Sequence, residues 1–176
     1  HETNLPGVLR IKRKITFDHR GHYSELYNRT VYFGHGITVD FAKGEQTYSF
    51  SNQNVLRGLH GDSKTWKLIS CLYGELYLVV LNYNPASQDF GKWEAFILTP
   101  EGGLQILVPP RHCNGHLILS DCAIFHYNQS EYYNGPETQN VIRWDDPRFN
   151  IDWPVKDPIL SRRDRNASSY IAKSDK

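Results

Sequence analysis

The sequence predicts an all-β protein, a single domain closed as a double-sheet jelly roll or barrel, and three observations carry that prediction. The ordered-looking runs are short and rich in Val, Ile, Leu, Tyr and Phe; Gly, Pro, Asn and Asp separate them; and no helical period outlasts a turn or two. So many short strands must hide their edges, which a jelly roll or barrel does by closing on itself. A chain of 176 residues with 39% hydrophobic content is enough for one core.

In chain order, the first expected strand runs from Val8 to Ile11 and is placed to join a neighbour's sheet, and the second runs from His22 to Tyr27. Val55 to His60, Trp66 to Leu72, Glu75 to Asn82, Trp93 to Leu98 and Gln105 to Val108 follow, then His116 to Leu119 and Cys122 to Tyr127. Tyr73-Gly74 and Ser120-Asp121 are tight joints read as hairpins, which would make the flanking runs antiparallel neighbours. After Tyr133 the chain turns polar and Pro-rich, and Trp144 and Trp153 are expected to anchor it on the barrel. The expected organisation is therefore a barrel core at about 17–128 and a C-terminal segment, 129–176, packed on it, with no repeat, low-complexity tract or linker.

Lys plus Arg number 20 against 19 Asp plus Glu, so a net charge of +1 gives no electrostatic case for nucleic acid or an anionic membrane. Cys71, Cys113 and Cys122 have no CxxC spacing and suggest neither a disulfide framework nor a zinc cage; a reducing cytoplasm is expected. No apolar run approaches the roughly 20 residues that span a bilayer, and the first residues lack the pattern of a secretion signal. The sequence has no methionine, so His1 is read as a tag remnant or a trimmed end and set aside.

Five places hold ionisable residues beside Gly or Pro in ways that packing does not demand. Phe17-Asp18-His19-Arg20-Gly21, with Tyr23 and Glu25 after it, offers a guanidinium fork at a turn, suited to phosphate or carboxylate or simply to solvent. Arg57 and His60 interrupt an apolar strand. Residues three apart face opposite sides of an ideal strand, so one cavity could take both only if a bulge intervened, for which Gly58 is suited; otherwise His60 is a satisfied edge histidine. Lys67 shares a face with Ile69 and Cys71, and the pattern leaves open whether that face or the one bearing Trp66 and Leu68 is inward. Asn114 and His116 share one strand face, as do Phe125 and Tyr127; Tyr127 is either an acid–base group or a core aromatic. Finally, Leu160-Ser161-Arg162-Arg163-Asp164 is a charged cluster of a kind that usually forms only a solvated turn.

These residues occur within an ordered series: Arg20-Gly21 with Glu25, Asn54-Val55-Leu56-Arg57-Gly58-Leu59-His60, Lys67-Leu68, Gly74-Glu75, Phe90-Gly91-Lys92-Trp93, Val108-Pro109-Pro110, Leu119-Ser120-Asp121, Tyr132-Tyr133, Ile142-Arg143-Trp144-Asp145-Asp146-Pro147, Ile151-Asp152-Trp153-Pro154 and Ile159-Leu160-Ser161 with Asp164. The series resembles the dTDP-4-dehydrorhamnose 3,5-epimerase family over nearly the whole chain. The resemblance implies a cupin-type jelly roll, a homodimer, no cofactor or catalytic metal, and a sugar-nucleotide substrate, dTDP- or GDP-linked, used in making surface polysaccharide. It implies His60 as catalytic base, Asp164 as its orienting carboxylate, Tyr127 as general acid, and Lys67 and Arg57 around the keto oxygen. Arg20 matches a group that holds the diphosphate and Tyr133 another site tyrosine; Glu25, Asn114 and His116 are expected as further substrate contacts of this chain. The reaction, 3,5- or 3-epimerisation beside a 4-keto group, needs these types: an enolate must be met by positive charge, and inversion needs a second proton carrier across the ring.

Three stretches depart from the family pattern. Asn114 stands where a second histidine is usual, with His116 two residues on; Gly61-Asp62 replaces a common aromatic and Gln; and Gln46-Thr47-Tyr48 replaces an Asp-Asn-His stretch. Such variants look like members acting on GDP-linked 4-keto sugars, heptoses included. The alternatives are a non-catalytic barrel that binds a sugar nucleotide, a keto-sugar isomerase, and a metal-dependent cupin, whose cluster of histidines this chain does not supply.

Overall fold

Two five-stranded antiparallel sheets face each other in the computed structural model, which describes residues 1–169. In chain order the strands are β1 (Leu9–Lys12), β2 (Thr16–Asp18), β3 (Gly21–Tyr23), β4 (Glu45–Asn52), β5 (Leu56–Gly61), β6 (Lys67–Tyr73), β7 (Leu76–Asn82), β8 (Trp93–Leu98), β9 (Leu104–Val108), β10 (His112–Ile118), β11 (Cys122–Gln129) and β12 (Asn140–Val141). Two short helices, α1 (Arg29–Gly34) and α2 (Arg162–Arg165), lie outside the sheets. The first sheet has the order β1-β9-β6-β11-β4 and the second β12-β5-β10-β7-β8; β2 and β3 form a separate exposed hairpin. The jelly roll expected from the sequence is present.

One core lies between the sheets, built from Ile69 and Cys71 of β6, Leu78 and Val80 of β7, Ile106 of β9 and Phe125 of β11. Both outer faces are also covered in part. Leu68 and Leu107 of the first sheet pack against Tyr32 and Phe41, while Leu59, Val79, Leu81 and Leu117 of the second pack against Ile142, Phe149 and Trp153 of the C-terminal segment. Burial on both faces is why β6 and β7 read as continuous apolar runs rather than alternating ones. Trp153 is an anchor as expected: its indole N–H donates to the Trp144 carbonyl at 2.9 Å and its ring meets Tyr77 edge-on.

The two expected hairpins are corrected. β6 and β7 lie in opposite sheets, as do β10 and β11, so Tyr73-Gly74 and Ser120-Asp121 are corners at which the chain changes sheet. Both arrangements need a tight reversal, so turn residues cannot tell them apart. The corners brace each other: Ser120 Oγ accepts from the Glu75 N–H at 2.8 Å and donates to the Cys122 carbonyl at 2.7 Å. Gly74 lies against that carbonyl at φ 72°, where a Cβ would come within 2.1 Å of it.

Strand boundaries differ too. The expected strand from His22 to Tyr27 ends at Tyr23, β10 begins at His112 rather than His116, and β4 was not expected at all. Among the described residues no helix is long and apolar enough to cross a membrane.

Candidate active site

The bulge that Arg57 and His60 require is present. Asn114 pairs with His60 and His116 with Arg57, so three steps along β5 oppose two along β10. Gly58 makes this possible: its φ is 134°, and a Cβ there would sit 2.4 Å from the Gly115 Cα. With a side chain at 58 the two backbones could not approach, and Arg57 and His60 could not share a cavity.

That cavity has a volume of about 450 Å³, within the range of small-ligand sites. The second sheet supplies Arg57, His60, Asn114 and His116 to it. The first sheet supplies Thr47 and Ser49 from β4, Lys67 from β6, and Phe125 and Tyr127 from β11. Tyr133, Gln139 and the turn that carries Ser161, Arg163 and Asp164 add to the lining. A groove of about 590 Å³ lies elsewhere, along β1 and α1, lined by residues that include Tyr23, Glu25, Tyr32 and His35.

His60 and Asp164 form the shortest polar contact in the cavity, Nε2 to Oδ1 at 2.6 Å. Asp164 is almost wholly buried, and burial opposes its ionisation. Hydrogen bonds from His60, from the Ser161 hydroxyl and from the Gly58 N–H outweigh that, so its carboxyl titrates below the ordinary carboxylate value. Ser161 caps α2, accepting from the Asp164 N–H and donating to Asp164 Oδ2, both at 3.0 Å. The Ser161-x-x-Asp164 spacing is thus a capping arrangement that aims the carboxylate, a sequence signal stronger than a charge cluster.

Lys67 faces inward, which resolves the face that the sequence left open. It is buried, and its ammonium donates to Asn114 Oδ1 at 3.0 Å, across the gap between the sheets. Burial pulls its pKa down, opposed by Cys113 and Asp62. Tyr127 moves the other way. Burial raises it, a hydrogen bond with Thr47 opposes the rise, and Glu45 and Tyr133 add to it, so the phenol holds its proton at neutral pH. Arg57 is exposed towards the cavity, with its Nε donating to Ser51 Oγ at 3.0 Å. Tyr133 lies at the mouth, its backbone N–H donating to Glu45.

Of the ten residues singled out from the sequence, Arg20 and Glu25 do not line this cavity. Arg20 is exposed on the β2–β3 hairpin and paired with Asp18 at 2.5 Å, and Glu25 lines the other groove. Sequence reasoning reached Thr47 only as part of the departing stretch Gln46-Thr47-Tyr48 and missed Ser49 and Glu45. They sit on the inward face of β4, where small polar residues point in and Tyr48 and Phe50 point out, the reverse of the usual pattern. Among the described residues, no three His, Cys, Asp or Glu side chains gather as a metal site would need.

Comparison with known proteins adds a family context. Residues 2–171 match the family model described as dTDP-4-dehydrorhamnose 3,5-epimerase. The chain is 36% identical to the Escherichia coli dTDP-4-dehydrorhamnose 3,5-epimerase over 168 residues, which is 92% of this chain and 89% of the relative. It is 33% identical to the Shigella flexneri enzyme of the same name, with 97% and 94% covered. The crystal structure of the dTDP-6-deoxy-D-glucose-3,5-epimerase of Legionella pneumophila, in complex with dTDP-4-keto-L-rhamnose, superposes with a TM-score of 0.88 at 34% identity, covering 95% of this chain and 89% of that one. A 3'-monoepimerase of Streptomyces bikiniensis in complex with dTDP-quinovose gives 0.89 at 27% identity, covering 96% and 86%.

Proposed function

Because the chain belongs to the dTDP-4-dehydrorhamnose 3,5-epimerase family, we propose that it inverts one or both carbons beside the keto group of a nucleotide-linked 4-keto sugar, with His60 as base and Tyr127 as acid. The observation that carries this reading is the placement of those two groups on opposite sheets, across one cavity that also holds a buried ammonium. With Nε2 bonded to Asp164, His60 keeps Nδ1 for the carbon-bound proton, and the carboxylate steadies the imidazolium that forms. The electron pair of the broken C–H bond moves onto the keto oxygen, where Lys67 and Arg57 meet the negative charge. Tyr127 then returns a proton to the carbon from the other face, inverting it. The proton count and oxidation state are unchanged, so the chemistry calls for no redox partner.

The relatives named above are dTDP-sugar epimerases, and dTDP-linked 4-keto sugars are the first substrates to consider. Thr47 lines the cavity within a stretch that departs from the family pattern, which keeps GDP-linked 4-keto hexoses and heptoses in consideration. Asn114 keeps the role of a substrate-side contact through Lys67. Arg20 and Glu25 reach substrate only from a second protomer in this reading: the protein acts as a homodimer, and the exposed hairpin bearing Phe17, Arg20 and Tyr23 crosses to the partner's cavity.

Proton NMR of dTDP- and GDP-linked 4-keto sugars in deuterated water tests the reading. Deuterium should enter at C3, C5 or both with the native enzyme and not with His60→Asn. Binding without exchange for every substrate would leave a non-catalytic barrel as the better account.

A further inference from the structure

His116 lies on β10 within the cavity and is 3% exposed. Its ring lies flat on Phe125, with centroids 3.8 Å apart and planes 7° from parallel, so its ring plane is fixed by a contact that bridges the sheets. Its Nε2 is buried and has no hydrogen-bond partner. Buried imidazole nitrogens are normally satisfied, and an unmet one in a cavity wall points to a missing ligand atom. His112 Nε2 and His126 Nδ1 are also unmet, but neither residue lines the cavity. Nor does Asn114 offer its oxygen, which already accepts from Lys67.

We propose that His116 reads the sugar through one hydrogen bond, its Nε2 meeting a ring hydroxyl, and that it passes no proton. The proposal rests on the epimerase reading, because it needs a sugar in this cavity. Burial above all, then the neighbouring Arg57, His60 and Lys67, with Asp164 opposing, push the pKa of His116 down to about 3. Such a weak base neither removes a carbon-bound proton nor stores one at neutral pH. It remains a neutral imidazole, and a hydroxyl can satisfy it in either tautomer, because a hydroxyl both donates and accepts. The phosphate groups are better served by guanidinium. Exchanging the usual histidine for Asn114 and placing an imidazole at 116 therefore moves a polar contact along the strand without replacing a proton carrier.

The test uses His116→Phe and His116→Gln in the full chain, assayed with whichever 4-keto sugar nucleotide the native enzyme exchanges, and titrated calorimetrically with the nucleoside diphosphate alone. His116→Phe keeps the stacking ring and loses the nitrogen, and it should raise KM about tenfold, the loss falling on KM rather than kcat. His116→Gln should recover most of that, since its amide nitrogen overlays Nε2. The limbs of the kcat/KM–pH profile should stay where they are, and the nucleoside diphosphate should bind all three proteins alike. Should the phenyl ring weaken nucleotide binding, His116→Ala supplies the same comparison. An unchanged KM in His116→Phe, no recovery in His116→Gln, or loss of a pH limb would each overturn the proposal while leaving the epimerase reading intact. If the native enzyme exchanges no substrate, both fall.

Discussion

The two walls of the cavity are held in different ways. The wall from the second sheet, which carries His60, is backed by the C-terminal segment, and that same segment delivers Asp164 to the histidine. The wall from the first sheet, which carries Tyr127, ends in the edge strand β4, where Tyr48 and Phe50 face outward at 69% and 55% exposure. A base must have its tautomer and ring plane fixed, and that takes a partner with its own supports. In the proposed reaction the acid need only keep its proton until called on, and burial of Tyr127, which outweighs its hydrogen bond with Thr47, ensures that. The wall with the greater demand for precision is the wall with the deeper packing.

The largest effect should come from cutting the link between base and backing. Asp164→Asn leaves the shape of the pair but removes the charge that steadies the imidazolium, and kcat/KM should fall at least about a hundredfold. Ser161→Ala, which removes only the cap that aims the carboxylate, should cost a few-fold; steady-state kinetics on both variants measures the difference. Equal losses would mean that aiming matters as much as charge.

Tyr127→Phe breaks the other wall. Proton removal by His60 should survive, so deuterium should still enter the substrate from that side, with retention, while the inverted product falls about a hundredfold. NMR follows both. Parallel loss of exchange and inversion would show that the two proton transfers are not divided between the walls. Trp153→Ala tests the backing itself: it should cost about 3–5 kcal/mol in denaturant unfolding, as loss of a large buried aromatic does, and should lower kcat as Asp164 loosens.

How much the sequence disclosed also differs between the walls. On the second sheet, Arg57 and His60 stood out because charged groups interrupted an apolar strand, and the geometric conflict between them correctly required a bulge at Gly58. On the first sheet, β4 went unseen because its polar face points inward to the cavity and its aromatics point out, so functional demand inverted the hydrophobic pattern from which strands are read. The jelly roll was legible from strand length and spacing. The sheet to which each strand belongs was not, because a corner and a hairpin ask for the same turn residues, and only packing against the opposite corner, as Gly74 shows, decides between them. Asp164 was legible through family resemblance, although the capping spacing from Ser161 was there to be read.

The smallest effect expected is a change in how stability depends on pH, and it separates the buried histidines from Asp164 by window. His116, on the second-sheet wall, has an ordinary value of 6.5 when unfolded and about 3 when buried in the fold. As pH falls below 6.5 the unfolded chain takes up a proton that the native state refuses, so stability declines from there down towards 3. Asp164 acts later. Its native carboxyl lies below 3.8, so the stability it contributes is present above 3.8 and is lost as pH falls further. His126, on β11 of the first sheet, is also lowered, by burial and then by Arg13, so its contribution likewise begins to be lost as pH falls below 6.5. Denaturant midpoints measured through the acid range should therefore show the decline below pH 6.5 becoming shallower in His116→Phe and in His126→Phe, while Asp164→Asn should act chiefly on the limb below 3.8. A decline that flattens equally in both histidine variants would mean that the two sheets bury their imidazoles equally well, and the contrast in backing would then rest on Asp164 alone.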